Sequence, residues 1–208
     1  MKNIAVVGGK GAGKTDLIKA LRAEHPSLNY THASVYTIEV PITLMSTTDP
    51  YLLSGSLDQF VDAVVRSRDI PRKPLTSHEA YDFMNDVISV YGGIVFGRVI
   101  HAVTQDMQPV VVDNVSKLVS VEYLKERGFF IVGVDCPLML RVERILNGQR
   151  GKRTDYVNDP FKLRVRMQRR DESMQVMESL RIADVVYNTE LLPKDYSDVA
   201  KEILQLAA

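Results

Sequence analysis

The sequence contains one cysteine, no tryptophan and no net formal charge in 208 residues. A single cysteine excludes an intramolecular disulfide framework. The 26 basic and 26 acidic residues balance, which disfavours a protein whose whole surface coats nucleic acid or an anionic membrane, because such binding needs a large positive excess. We therefore expect small molecules, rather than nucleic acid or membranes, as the partners of this chain.

Long apolar runs are also missing. The best of them, such as Phe129–Val134, has the length of a strand and falls far short of the roughly 18 residues that span a bilayer. The start MKNIAVVGG lacks a charged region followed by a long apolar stretch and a cleavage site of small residues. The sequence predicts a soluble, cytoplasmic protein.

Short runs rich in Val and Ile alternate with longer helical patterns, which is typical of parallel strands joined by crossover helices. The pattern predicts an α/β fold with one five-stranded sheet in a single domain over residues 1–208. The predicted strands are Ile4–Val7, Asn29–Thr31, Pro109–Val112, Phe130–Val134 and Val185–Tyr187. The predicted helices are Gly13–Glu24, Ser77–Val90, Ile94–Gln105, Val119–Arg127, Pro137–Asn147, Pro160–Arg181 and Tyr196–Leu206.

The stretch from Thr43 to Thr76 has a different composition. Clusters of Ser, Thr, Asp, Pro and Gly surround a short helical pattern near Leu57–Val65. Long structureless loops are uncommon in compact domains and are often functional. We interpret residues 43–76 as a small inserted lobe, and a long surface loop is the alternative.

A glycine-rich segment, GGKGAGKT, follows the first predicted strand and fits the pattern G-x-x-x-x-G-K-[ST]. Small residues let successive backbone N–H groups turn inward around a phosphate, and the next helix points its positive N-terminus at the same anion. Lys14 would reach the β and γ phosphates of a nucleotide, and the Thr15 hydroxyl would bind Mg²⁺. The alternative is a glycine-rich turn that binds no nucleotide. The predicted phosphate-binding residues are Gly8, Gly9, Lys10, Gly11, Ala12, Gly13, Lys14 and Thr15.

A carboxylate is expected near the metal, and Asp113 ends the apolar run that begins at Pro109. It could bind Mg²⁺ directly or through water, although Asp after a strand is also a common turn residue. The guanine-reading pattern [NT]-K-x-D of GTPases is absent. Small phosphotransferases are therefore the favoured class.

The segment from Arg141 to Arg170 contains ten basic and three acidic residues. Glycines interrupt the helical pattern at its centre, so residues of about 147–159 are predicted to form a flap whose guanidiniums close over phosphate oxygens. The alternatives are a solvated charged face and a nucleic-acid patch, and the second lacks the interleaved aromatic residues that stack bases.

With these segments in view, the chain resembles the nucleoside monophosphate kinase-like branch of P-loop proteins. It is most similar to the archaeal adenylate-kinase-related nucleotide kinases and to the dephospho-CoA kinases. The resemblance covers residues 77–208 together with the glycine-rich loop. The matching segments are GGKGAGKT, VVVDNVSKLVSVEYLKERG, FFIVGVDCPLMLRVERI, RGKRTD, FKLRVRMQRRDE and IADVVYNTELL.

The resemblance implies a sheet ordered 2-3-1-4-5, a lid, and transfer of the ATP γ-phosphoryl to a small acceptor, usually a nucleotide, with ATP and Mg²⁺ required. Carried over by position, Arg150 and Arg153 belong to the lid, and Arg170 contacts phosphates alongside the catalytic Lys14. Asn188 to Leu191 border the adenine. The residues expected to bind the acceptor are Arg98, with Arg72 and Lys117 as further candidates.

Two departures from the family concern the acceptor. No Asp follows the second strand, where this sequence has Thr31–Val35, and the family's Asp-Gly-Ile-Arg turn is changed to Asp113–Ser116. Lys117 could replace the missing arginine. His32 could serve as a base, although a lone histidine at a strand end is more often structural. A nucleotide acceptor, a dephospho-CoA kinase-like activity and a non-catalytic ATP-binding regulatory protein all stay open.

Overall fold

A computed structural model describes residues 1–72, 75, 77–115, 117–148, 159–191 and 195–208. Five strands form one parallel sheet in the order β2-β3-β1-β4-β5. The predicted fold class and strand order are therefore confirmed. The strands are β1 (Ile4–Val7), β2 (Asn29–His32), β3 (Val110–Asp113), β4 (Phe130–Asp135) and β5 (Val185–Asn188).

Helices cover both faces of this sheet and build a lobe beside it. In chain order they are α1 (Lys14–Glu24), α2 (Val40–Thr47), α3 (Leu57–Arg66), α4 (Ser77–Tyr91), α5 (Ile94–Thr104), α6 (Leu118–Glu126), α7 (Leu138–Leu146), α8 (Pro160–Ser173), α9 (Val176–Arg181) and α10 (Ser197–Leu206). A π-helical turn, Val35–Glu39, leads into α2, and short 3₁₀ turns occur at Leu52–Ser54 and Gln105–Met107. Within the described residues, no single helix has the length and apolar character to span a membrane, although α4 and α5, bent by 99° at their junction, pass that test as a pair.

Alternate residues of β1 supply the two halves of the sheet's core. Ile4 and Val6 pack into the cluster that holds α1 and α10. Ala5 and Val7 pack into the opposite cluster, which holds α5 and α6. Because successive side chains of a strand point to opposite faces, a strand covered on both faces is apolar throughout, and this explains the unbroken Ile-Ala-Val-Val run.

A third apolar cluster fills the lobe formed by α2, α3, α4 and α5. Phe60, Val64, Val87 and Val99 are buried there. A capping box begins α3, in which the Ser56 hydroxyl and the Gln59 side chain bond reciprocally to backbone N–H groups. Residues 43–66 are therefore mostly helical, so the alternative of a long surface loop is wrong for this part of the predicted lobe.

The predicted set of helices needs two corrections. The helix predicted over Pro160–Arg181 is two helices, because Gln175 adopts a left-handed conformation with φ of 53°. The turn brings Leu180 against the sheet, where its Cδ2 atom would lie 2.9 Å from a Cβ added at Gly133. The second correction is α2 with its preceding π-helical turn, which the sequence analysis did not predict because β-branched residues and Pro41 are atypical of a helix interior.

Candidate active site

The glycine-rich loop lies at the carboxyl edge of the sheet, where ligands bind in folds of this type. It follows β1, and β1 pairs with β3 so that Val6 lies opposite Asp113. On the other side of the sheet's centre, β4 and β5 end with Asp135 opposite Asn188. The strand order thus gathers the loop, Asp113 and the β5 turn at one edge.

Backbone conformation explains the glycines of the loop. Gly8, Gly11 and Gly13 have φ values of 143°, 78° and 119°, which side-chain-bearing residues rarely adopt. Space is a second constraint, since a Cβ added at Gly8 would lie 2.2 Å from the carbonyl oxygen of Val134. Only glycine fits this position.

The Lys14 side chain contacts the beginning of the loop that precedes it. Its Nζ donates hydrogen bonds to the carbonyl oxygens of Gly8 and Gly9 at 2.9 and 3.0 Å. Burial lowers the pKa of Lys14 to about 8; the negative charge of Asp113 opposes this shift, and the positive charge of Arg170 adds to it. An anion entering the loop would therefore stabilise the charged form of this lysine.

Asp113 and Thr15 fit the two protein ligands expected for Mg²⁺. Asp113 is 6% exposed, and its Oδ1 is buried with no hydrogen-bond partner in the described part of the chain. A buried carboxylate oxygen is costly unless it is paired, and Mg²⁺ prefers oxygen ligands shared with phosphates and water. Thr15 is exposed in the first turn of α1. The donor set thus suits a nucleotide-bound magnesium ion.

Arg141, on α7, contacts the loop from outside, and sequence reasoning did not single it out. Its Nη1 donates to the Lys10 carbonyl oxygen at 3.4 Å, and its Nε donates to that of Cys136 at 3.0 Å. Its Nη2 forms a 2.6 Å ion pair with the Oδ2 of Asp171 on α8. The guanidinium therefore joins the loop, α7 and α8.

Arg144, one turn further along α7, and Thr189 contact the next part of the loop. Arg144 Nη1 donates to Thr189 Oγ1 at 3.0 Å and to the Gly11 carbonyl oxygen at 3.5 Å. The buried Thr189 hydroxyl donates to the Ala12 carbonyl oxygen at 2.6 Å. The three-residue spacing of the two arginines, which places them on one side of a helix, was the available sequence signal.

The predicted donor-site residues outside the loop are placed as follows. Arg170 lies on α8, close enough to Lys14 for its charge to affect the pKa of that lysine. Asn188 ends β5, and its Oδ1 accepts a hydrogen bond from the Glu190 backbone at 2.9 Å, while Leu191 is exposed. Arg150 and Arg153, the predicted lid arginines, lie outside the described residues.

The three predicted acceptor-binding cations each have a partner within the chain. Arg98 hydrogen-bonds and ion-pairs with Asp58. Arg72 lies 3.6 Å from the Glu39 carboxylate. Lys117 donates to the carbonyl oxygen of Ser173 at the end of α8, at 2.8 Å. These contacts place them at three different points, between α3 and α5, beside the π-helical turn, and at the end of α8.

His32 occupies the end of β2, opposite Asp113 in the sheet register. Its Nδ1 lies 2.7 Å from Ser34 Oγ. The histidine and serine thus lie at the end of β2 and just after it, where the sequence resemblance led us to expect an acid.

Comparison with known proteins shows the fold. No protein-family model matches the chain, and no curated protein matches it. Among solved structures it is similar to a sugar kinase from Janibacter sp. HTCC2649, with 13% identity, 100% of this chain and 96% of that chain covered, and a TM-score of 0.52. A shikimate kinase from Acinetobacter baumannii in complex with shikimate has 16% identity, coverage of 99% and 92%, and a TM-score of 0.51. A protein from Thermus thermophilus has 14% identity, full coverage of both chains and a TM-score of 0.54. The chain has the three-layer α/β fold of P-loop kinases.

Proposed function

We propose that this protein is an Mg·ATP-dependent phosphotransferase that transfers the γ-phosphoryl group to a small acceptor, with a nucleotide as the first candidate. The observation that carries the proposal is the placement of the Lys14 ammonium and a buried carboxylate, that of Asp113, at the same loop. Lys14 Nζ lies against the loop carbonyls, and Asp113 beside it has an oxygen with no partner among the described residues. The solved structures of similar fold include a sugar kinase and a shikimate kinase.

Each residue of this site has a task in phosphoryl transfer. Backbone N–H groups of the loop and the N-terminus of α1 bind the donor phosphates. The Lys14 ammonium balances negative charge on the transferred group, and Arg170 adds a second positive charge beside it. Thr15 and Asp113 hold the magnesium ion, which neutralises phosphate charge when bound. Arg150 and Arg153 are proposed to close over the same phosphates.

A hydroxyl acceptor is the second candidate, as in dephospho-CoA kinase-like enzymes. The names of two solved structures of similar fold favour it, because sugars and shikimate present hydroxyl groups. A third candidate is a non-catalytic ATP-binding regulatory protein. It is favoured by the contacts of Arg98, Arg72 and Lys117, each of which already has a partner within the chain.

An ADP-release assay tests these candidates. Purified protein is given Mg·ATP and, in separate reactions, the nucleoside monophosphates, dephospho-CoA, shikimate and simple sugars. Turnover with a monophosphate supports the first candidate, turnover with a hydroxyl acceptor supports the second, and tight ATP binding without turnover supports the third.

The control for this assay is a pair of lysine substitutions on one helix. Lys14→Ala removes the cation in the loop, and Lys19→Ala removes an exposed lysine of α1. We expect Lys14→Ala to lose turnover by a factor of about a hundred or more, while Lys19→Ala keeps it. ATP turnover that is unchanged in Lys14→Ala would overturn the proposed function.

A further inference from the structure

Three successive carbonyl groups of the glycine-rich loop are bonded from outside it. The Lys10 and Gly11 carbonyl oxygens accept from Arg141 and Arg144, and the Ala12 carbonyl oxygen accepts from Thr189. In a trans peptide the C=O group and the following N–H group point in opposite directions. Fixing these carbonyls toward α7 and β5 therefore turns the N–H groups of the next residues away from those elements.

This arrangement mainly affects the direction in which the Gly11 and Gly13 N–H groups point. The Ala12 N–H is engaged inside the loop, where it donates to the Gly9 carbonyl oxygen at 3.2 Å. The Gly11 and Gly13 N–H groups follow the carbonyls that Arg141 and Thr189 hold. A phosphate bound by backbone N–H groups needs them to converge before it arrives, since ordering the loop on binding costs free energy.

Arg141 is the most firmly held of these outside groups. Its side chain is 9% exposed and that of its ion-pair partner Asp171 is 16% exposed. The guanidinium also packs directly on the loop, since a Cβ added at Gly9 would lie 2.1 Å from Arg141 Nη1. A planar guanidinium has several N–H donors, so it can bond the Lys10 and Cys136 carbonyl oxygens and the Asp171 carboxylate at once. The ammonium of a lysine lacks this planar arrangement of donors.

The ion pair also anchors the part of α8 that carries Arg170. Asp171 is the next residue on α8, and Arg170 is near enough to Lys14 to affect its pKa. Holding Asp171 against Arg141 therefore holds the backbone of Arg170 at the loop. One buried contact thus connects the loop conformation with a second positive charge of the site.

We propose that Arg141, held by Asp171, is a positioning residue for phosphate binding, which presets the glycine-rich loop and anchors α8 beside it. This inference rests on the proposed function, because it assumes that the loop binds nucleotide phosphates. It concerns residues that touch the loop from outside and does not give Arg141 a contact with the substrate.

Calorimetric binding measurements with two probes test the inference. ATP reports on the phosphate site, and adenosine, measured directly or as a competitor, lacks phosphates. We expect Arg141→Met, which keeps an unbranched apolar stem, to weaken ATP binding about tenfold or more and to leave adenosine binding within about twofold. Asp171→Asn keeps Arg141 but removes its charged partner, and we expect a smaller loss of ATP affinity in the same direction.

The matched control is Lys125→Met. Lys125 forms an ion pair with Asp184 at 2.9 Å, and because Asp184 directly precedes β5, this pair lies toward the amino edge of the sheet and away from the loop at its carboxyl edge. This substitution therefore also removes one ion pair. A purely structural role for Arg141 predicts that Arg141→Met lowers the melting temperature but binds ATP like Lys125→Met at a temperature where both variants are folded. That result would overturn the inference.

Two further outcomes separate the inference from the proposed function. If the wild type binds ATP, Lys14→Ala loses that binding and Arg141→Met keeps it, the inference fails and the proposed function stands. If the wild type does not bind ATP, both fail. If Arg141→Met does not fold, Arg141→Lys decides, since the inference expects it to bind ATP more weakly than the wild type, and wild-type affinity in Arg141→Lys overturns it.

Discussion

Arginine side chains are held differently at the glycine-rich loop, called the phosphate side below, and in the lobe formed by α2 to α5, called the lobe side. On the phosphate side, Arg141 bonds backbone carbonyls and a carboxylate, and its ion pair with Asp171 leaves the two side chains 9% and 16% exposed. On the lobe side, Arg98 pairs with Asp58, and these side chains are 35% and 73% exposed. The first guanidinium is buried among its partners, whereas the second is partly exposed and pairs with a well-exposed carboxylate.

Burial makes the consequences of losing these pairs unequal. Breaking a buried ion pair by removing one partner costs about 3–5 kcal/mol, because the remaining charge stays buried. An exposed pair contributes about 0–1 kcal/mol, since water and salt screen it. The phosphate side is therefore preset by the fold, and a ligand can replace the partner of Arg98 at little cost.

The largest effect that would sharpen this comparison is expected from Gly8→Ala. The added Cβ would lie 2.2 Å from the Val134 carbonyl oxygen, at a φ of 143°, so both the loop and its contact with β4 must change. We expect ATP binding to be lost in calorimetry and the melting temperature to fall.

Gly128→Ala is the matched control, because Gly128 has a φ of 84° and no atom within 4 Å of an added Cβ. It is expected to cost about 1–2 kcal/mol of stability and to bind ATP normally, and normal binding in both variants would contradict the preset loop.

A tenfold change in ATP affinity is expected with pH, because Lys14 changes its charge. Burial lowers the pKa of Lys14 to about 8, and ATP favours the charged form. The free protein loses this charge as the pH rises through 8, so ATP affinity should fall about tenfold between pH 7 and pH 9. Titration calorimetry at pH 7 and pH 9 measures the ATP affinity of the wild type and of Lys14→Arg. The arginine does not titrate in this range, and an equal loss of affinity in the two proteins would show that another group is responsible.

The smallest effect is expected on the lobe side. If Arg98 binds an anionic acceptor, Asp58→Asn frees it and should lower the acceptor KM by about threefold, while Arg98→Met raises that KM and neither changes the KM for ATP. Asp106→Asn is the control, because the Arg68–Asp106 pair is exposed to a similar degree, 32% and 75%. Stability should change by less than about 1 kcal/mol in all three variants. An acceptor KM that is unchanged in both Asp58→Asn and Arg98→Met would remove Arg98 from the acceptor site.

Features that depend on neighbouring residues were predictable from the sequence. The strands follow from runs such as Ile4–Val7, and the loop from the spacing of its glycines and Lys14. The position of Asp113 at the end of β3, beside the loop, also agrees with the strand order. The roles assigned to Lys14, Thr15 and Asp113 stay predictions, which the proposed experiments test.

Other features depended on the rest of the fold. The helix α2 and its π-helical turn are built from Val, Thr, Ile and Pro residues that favour extended or irregular structure when taken alone, yet they are helical where they pack into the apolar cluster of the lobe. The break between α8 and α9 at Gln175 contains no glycine or proline that would have predicted it from the sequence. In both places tertiary packing overrides local preference.

The sequence by itself determined the α/β class, the strands of the sheet and a glycine-rich loop suited to a phosphate, because each is encoded within a few consecutive residues. Tertiary structure alone decided which side chains outside that loop hydrogen-bond to its carbonyl groups. Arg141 bonds a carbonyl 131 residues away in the chain, and Thr189 bonds one 177 residues away. No local pattern specifies such contacts, since they form only when the strand order and the packing of α7 and β5 bring these distant residues to the same edge of the sheet.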